Sequence, residues 1–258
     1  MSHNLPSGSQ PTAADLDRPL YVPIKRRSFF MYAGATAGAT ALVLAGCSKD
    51  DNNTPGTVSV GSGDVGVLNY AYALEQLEAG FYTTLRTGSY YMGLAAGSAE
   101  KLILDDLYYH EVIHRDFFKA AITGAGATPI ASLTPDFSQI DFTNRLSVLN
   151  AAKSFEDLGV AAYNGAGQYI SDPGYLYLAG KIVSVEARHA AIIRDLVSEN
   201  TFVGNDVVTL TSAGVSSLAT NNSPMGASLE RALTPTEVVT TANKFLKDGS
   251  KLDVSGIK

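Results

Sequence analysis

Apolar residues recur at three- and four-residue steps in four long segments, the period of a helix with one face turned inward. The first helix is predicted from about Val67 to Arg86, with Leu68, Ala71/Tyr72, Glu75, Glu78/Ala79, Tyr82 and Leu85 on its stripe. The second runs from about Ser98 to Ile122, capped by Ser98 and ended by Gly124, with Leu104, Leu107/Tyr108, Glu111, His114, Phe118 and Ala121. The third spans about Thr143 to Ile170 and carries Leu149, Ala152, Glu156, Gly159/Val160, Tyr163 and Gly167. A turn at Asp172-Pro173-Gly174 leads into the fourth, about Tyr175 to Glu199, with Ala179, Ile182/Val183, Glu186, His189/Ala190, Ile193 and Val197. Residues 123–142, with Pro129 and Pro135, read as a long crossover loop. Beyond Asn200 the chain turns rich in Thr, Ser, Val and Asn, with one later helix expected at Thr236–Leu246 behind Pro235.

Four of the stripe positions are glutamates. Glu75, Glu111, Glu156 and Glu186 lie among the apolar residues, not opposite them. An unpaired buried carboxylate is very costly, and four converging in one core also repel one another. Two divalent cations would balance the four negative charges and leave His114 and His189 neutral as ligands. The same phrase occurs twice: a lone Glu followed seven residues later by Tyr (Glu75/Tyr82, Glu156/Tyr163), then Glu-x-x-His on the next helix (Glu111/His114, Glu186/His189). Three residues advance a helix by about 300° and about 4.5 Å, so Glu and His of each pair reach one ion from one face. Seven residues advance about 700°, which stacks each Tyr on its Glu's face. There its hydroxyl could hydrogen-bond a ligating carboxylate of a neighbouring helix; ordinary core packing is the alternative.

Composition narrows the chemistry. Among 258 residues, 45% are hydrophobic and 17% charged, enough for a real core. No 20-residue stretch in mid-chain is uniformly apolar, so no internal membrane span is expected. The net charge is −6, and no basic stripe is present, which argues against a nucleic-acid partner. The single cysteine, Cys47, excludes an internal disulfide and any cysteine-rich metal site, so a metal must be held by oxygen and nitrogen.

The first 46 residues read as an export signal. Lys25-Arg26-Arg27 precedes a short apolar run from Met31 to Ala45, too short to span a bilayer comfortably. The paired arginines followed by Phe29-Phe30 resemble a Tat-type signal. Leu44-Ala45-Gly46-Cys47 resembles a bacterial lipobox, which implies lipidation of Cys47 and a membrane attachment in the cell envelope, in the periplasm or at the outer membrane. Residues 47–64 read as a flexible tether, residues 65–200 as the helical domain and residues 201–258 as a C-terminal extension with one short helix.

The segments ALEQLEAGFY (73–82), HEVIHRDFF (110–118), FEDLGVAAYNGA (155–166) and VEARHAAIIRDL (185–196) resemble the ferritin-like superfamily. Within it they are similar to bacterial ferritin-like lipoproteins related to plant desiccation-related proteins. The resemblance implies an all-α, up-down-down-up four-helix bundle with a long crossover between its second and third helices. It implies two iron or manganese ions, with Glu75 and His114 terminal on one, Glu156 and His189 terminal on the other, and Glu111 and Glu186 bridging. Glu78, one turn from Glu75, could stand in for it; Tyr82 at +7 favours Glu75. The implied chemistry is redox, on peroxide, oxygen or ferrous iron. A closed storage shell is not expected, because a lipid anchor and a C-terminal extension would crowd its assembly.

Two other readings stand beside this one. His110-Glu111-Val112-Ile113-His114 also matches H-E-x-x-H, in which His110 and His114 would bind zinc and Glu111 act as base; that reading leaves the second Glu-x-x-His unexplained. In the dinuclear reading His110 points about 100° away from Glu111 and is expected either to support a ligand from outside the ligand set or to be partly exposed. A non-catalytic, structural role in the envelope is the other alternative, since a fold does not fix a reaction. Asp105, Asp106 and Asp195 are expected on solvated faces, and Lys101, Arg115, Arg188 and Arg194 in surface ion pairs.

Overall fold

The computed structural model describes residues 56–208 and 229–258; the expected export signal and Cys47 lie outside the described residues. Helix α1 (Gly63–Leu85) is followed by a single turn, α2 (Ser89–Met92), then by α3 (Ala99–Gly124), α4 (Arg145–Ala166), a 3₁₀ turn at Gly167–Tyr169, and α5 (Pro173–Val197). Helix α6 (Pro235–Ala242) and a further 3₁₀ turn follow. Strand β1 (Thr57–Ser59) pairs in parallel with β2 (Lys251–Asp253), Val58 opposite Leu252. Among the described residues the architecture is an all-α helical bundle with one small two-stranded sheet. No described helix is long and apolar enough to cross a membrane.

Helix limits follow local chemistry. Ser98 caps α3 by accepting from the Lys101 amide at 3.4 Å. Asn144 caps α4 through the Ser147 amide at 3.1 Å. Asp172 accepts from the amides of Gly174 and Tyr175 while Pro173 takes the first helical position, so the expected turn is the start of α5 itself. Thr234 and Glu237 form a reciprocal capping box on α6, again with Pro at the first position.

α1 packs against α3, and α4 against α5, giving two helical hairpins. The 125–144 connection between them follows the length of α1. The Ile130 amide donates to Asn69 Oδ1 at 3.0 Å, the Leu133 amide to Gln76 Oε1 at 2.9 Å, and Phe142 accepts from the Tyr90 amide at 3.2 Å. The connection thus starts beside the beginning of α1 and finishes past its end, which sets α4 antiparallel to α1 and parallel to α3.

The outer sides of α1 and α4 are covered too. Phe81 of α1 and Phe155 of α4 gather Phe137 and Phe142 of the connection and Phe245 of the C-terminal segment, with ring centroids 4.7–6.2 Å apart. Leu233 donates its amide to the Ala161 carbonyl at 3.0 Å. A Cβ on Gly165 would collide with the Leu233 backbone, so this glycine lets the C-terminal segment touch α4. The expected tether ends earlier than residue 64: Thr57–Ser59 is strand and Gly63 already opens α1, because β2 offers partners for its backbone groups.

Candidate metal centre

Each of the four long helices turns one or two acidic or imidazole side chains into the bundle. α1 supplies Glu75, α3 supplies Glu111 and His114, α4 supplies Glu156, and α5 supplies Glu186 and His189. The four carboxylates are completely enclosed, each 0% exposed. They form two overlapping groups. Glu75, Glu111, His114 and Glu186 make one, and Glu111, Glu156, Glu186 and His189 the other, with ligand atoms in each within 4.8 Å of one another. Glu111 and Glu186 belong to both.

The distances show how the sharing works. His114 Nδ1 stands 2.7 Å from Glu186 Oε1, 3.6 Å from Glu75 Oε2 and 3.7 Å from Glu111 Oε2. His189 Nδ1 stands 2.9 Å from Glu111 Oε1, 3.4 Å from Glu156 Oε2 and 3.5 Å from Glu186 Oε2. Each shared carboxylate therefore offers one oxygen to each group. These atoms attract electrostatically, yet both oxygens of Glu111 and Glu186, one each of Glu75 and Glu156, and both Nδ1 atoms lack an aligned hydrogen bond. Buried polar atoms are very rarely left so. Oxygen and nitrogen donors unpaired with each other but converging on common space are what a metal ion requires of its site.

The remaining oxygens of Glu75 and Glu156 are held from the opposite hairpin. Tyr163 on α4 donates its hydroxyl to Glu75 Oε1, and Tyr82 on α1 donates to Glu156 Oε1. Burial, reinforced by the accepting carboxylate, raises both phenols well above their ordinary value, so they stay protonated as donors.

The enclosed acids and imidazoles shift one another's protonation. Burial pushes Glu111 and Glu156 up, and the charge of Glu186 adds to the rise at both. Burial opposes ionisation of Glu186 too, but the facing imidazoles of His114 and His189 prevail and hold it at about 2. Burial would lower His114, but Glu111, Glu186 and Glu75 raise it to about 12. His189 is likewise raised well above its ordinary value by Glu156, Glu111 and Glu186 against the effect of burial.

Glu78 is buried one turn beyond Glu75 and belongs to neither group. Burial and the surrounding carboxylates push it well up. It faces Gly159 of α4, where a Cβ would lie 3.0 Å from Glu78 Oε1. Of the two acids of α1, Glu75 joins the buried cluster with Glu111, His114 and Glu186, and Glu78 does not. His110 belongs to neither group and is exposed, yet its ring stacks on that of His189.

Arg194 corrects an expectation. It is not a surface ion-pair residue: it is 3% exposed and grips Asp157 through Nε and Nη2, both at 2.7 Å, with Asp206 at 2.8–3.0 Å beyond. A signal was present, since Arg194 stands four residues after Ala190 and three before Val197, at the edge of the α5 stripe. Asp105 is also engaged, accepting from Tyr91 at 2.6 Å and pairing with Arg86 at 3.0 Å.

A helical bundle whose interior holds a carboxylate–histidine cluster able to bind metal defines a class of protein. The model of the ferritin-like domain matches residues 63–199, more than half of the chain. The protein belongs to the ferritin-like family. No curated protein matches the chain.

Proposed function

We propose that the protein is an exported, lipid-anchored redox protein that holds two iron or manganese ions between its helical hairpins and reacts with a small oxidant. The observation that carries this is the sharing of Glu111 and Glu186 between two groups of otherwise unpaired buried ligand atoms. Glu75 and His114 would complete one ion's set, and Glu156 and His189 the other's. Such ions supply Lewis acidity and a one-electron change each. Four carboxylates set against two divalent cations leave the buried centre neutral, with both histidines unprotonated.

The chain's own residues supply position, dryness and proton control. Tyr82 and Tyr163 hold Glu156 and Glu75 in place across the hairpin interface. Leu104, Leu107, Ile193 and the aromatic layer keep water out. A small apolar cavity lies against Tyr163, walled by Leu68, Ala71, Leu74, Phe118 and Ala166 among others. Its volume is about 30 Å³, room for about two water-sized spheres at roughly 10–15 Å³ each. That is room for a small molecule such as dioxygen. Apolar walls favour dioxygen over peroxide on this side, because peroxide would leave its hydrogen-bonding groups unsatisfied.

The test is elemental analysis of protein folded in its native host, followed by ferrous oxidation under oxygen and under peroxide. Two iron or manganese ions per chain, and loss of turnover in Glu111→Ala, are expected. One zinc per chain, or turnover indifferent to Glu111, would overturn the reading. The anchor is tested separately: Cys47→Ser should abolish acyl labelling and release the protein from the membrane fraction.

A further inference from the structure

We propose that His110 is a positioning residue for the metal centre, fixing which nitrogen His189 presents to its ion. The inference rests on the dinuclear reading and deepens it. His110 Nδ1 lies 2.8 Å from His189 Nε2. The two rings lie 5.0 Å apart between centroids at an interplanar angle of 23°.

Proton accounting assigns the direction of this contact. His189 Nδ1 faces Glu111, Glu156 and Glu186. To ligate a cation, Nδ1 must be unprotonated, so the imidazole proton must sit on Nε2. Nε2–H then donates, and His110 Nδ1 is the acceptor within reach. An acceptor on the far nitrogen fixes tautomer and ring orientation together and makes the ligating nitrogen more basic. His110 can do this from an exposed position, since it stands one residue before Glu111 on α3 and is turned toward the α5 side of the cluster.

The two halves of the site then differ. His114 Nε2 has no side-chain acceptor of this kind among the described residues, whereas His189 is braced. The His110 of the H-E-x-x-H pattern is thereby given a role without serving as a ligand. Removing it should weaken the ion set by Glu156 and His189 and leave the ion set by Glu75 and His114 untouched.

Full-length wild type, His110→Phe and His110→Gln would be titrated with cobalt(II), following its visible ligand-field bands. Phenylalanine keeps the ring and removes the acceptor; glutamine keeps an acceptor oxygen. Wild type should bind two ions. His110→Phe should bind the first with unchanged affinity and the second roughly 10- to 100-fold more weakly, with glutamine restoring most of the loss. In zinc-loaded protein, nitrogen NMR should place the His189 proton on Nε2 in wild type, and the resonance should lose its exchange protection in His110→Phe. Equal loading of both ions by His110→Phe would overturn the inference while leaving the dinuclear reading intact. Wild type that fails to bind two ions would overturn the dinuclear reading, and the inference with it.

Discussion

Tyr163 donates its hydroxyl to Glu75, seven residues before Tyr82, and Tyr82 returns the same contact to Glu156, seven residues before Tyr163. Each Glu-x6-Tyr unit thus completes the other's carboxylate and not its own. The reciprocity follows from the antiparallel course of α1 and α4, which sets residue 75 beside 163 and 82 beside 156. A double-mutant cycle reads it directly. Tyr163→Phe should couple to Glu75→Gln by more than about 0.5 kcal/mol and be additive with Glu156→Gln. Coupling to Glu156 instead would mean that the tyrosines serve their own helices.

Metal uptake should release protons. In the metal-free centre His114 is held up to about 12 and His189 is raised as well, so both are charged at neutral pH. A raised imidazole favours the protonated folded state below its ordinary value of 6.5, and that contribution fades only as pH climbs toward about 12. Ligation requires the neutral ring, so cations and protons compete. Affinity for a divalent metal should rise with pH between 6 and 8, and calorimetry in buffers of different ionisation enthalpy should detect the protons. Binding that ignores pH would remove the histidines from the ligand set.

Arg194 should be among the most costly charges to delete. Its guanidinium is enclosed and bound to Asp157, so Arg194→Met leaves that partner stranded, a loss of about 3–5 kcal/mol by denaturant unfolding. Asp206 is the contrasting partner, its side chain 58% exposed, and Asp206→Asn should cost no more than about 1 kcal/mol. Asp206 is held down at about 2 by hydrogen bonding to Arg194, against the opposing effect of burial. Its small contribution is present above the unfolded value of 3.8 and is lost as pH falls through about 2.

Two glycines of the third helical segment should respond oppositely to alanine. At Gly165 a methyl collides with the Leu233 backbone, so Gly165→Ala should lower stability by about 1–3 kcal/mol and loosen the C-terminal segment. At Gly167 the nearest atom is Leu176 Cδ1 at 3.7 Å, an ordinary contact, and its backbone is right-handed. Gly167→Ala should be neutral or stabilising, by up to about 1 kcal/mol. Thermal unfolding of the pair checks both signs.

The four long helices and the inward-facing glutamates were legible because both depend on short-range periodicity. Glu75, Glu111, Glu156 and Glu186 fall on apolar stripes, and a helix fixes where i+3 and i+7 point without help from the rest of the chain. The caps at Ser98 and the proline starts of α5 and α6 are local for the same reason. What the sequence by itself determined is therefore which side chains face inward and which share a helical face. Only the tertiary structure decided which helix meets which. It placed Glu75 and not Glu78 in the carboxylate–histidine cluster, paired each tyrosine with the opposite glutamate, buried Arg194 on Asp157 and brought His110 onto His189. It also paired β1 with β2 across most of the chain. Those contacts join residues far apart in sequence, and their selection depends on how apolar faces close together and which buried charges find partners. No local repeat records that outcome.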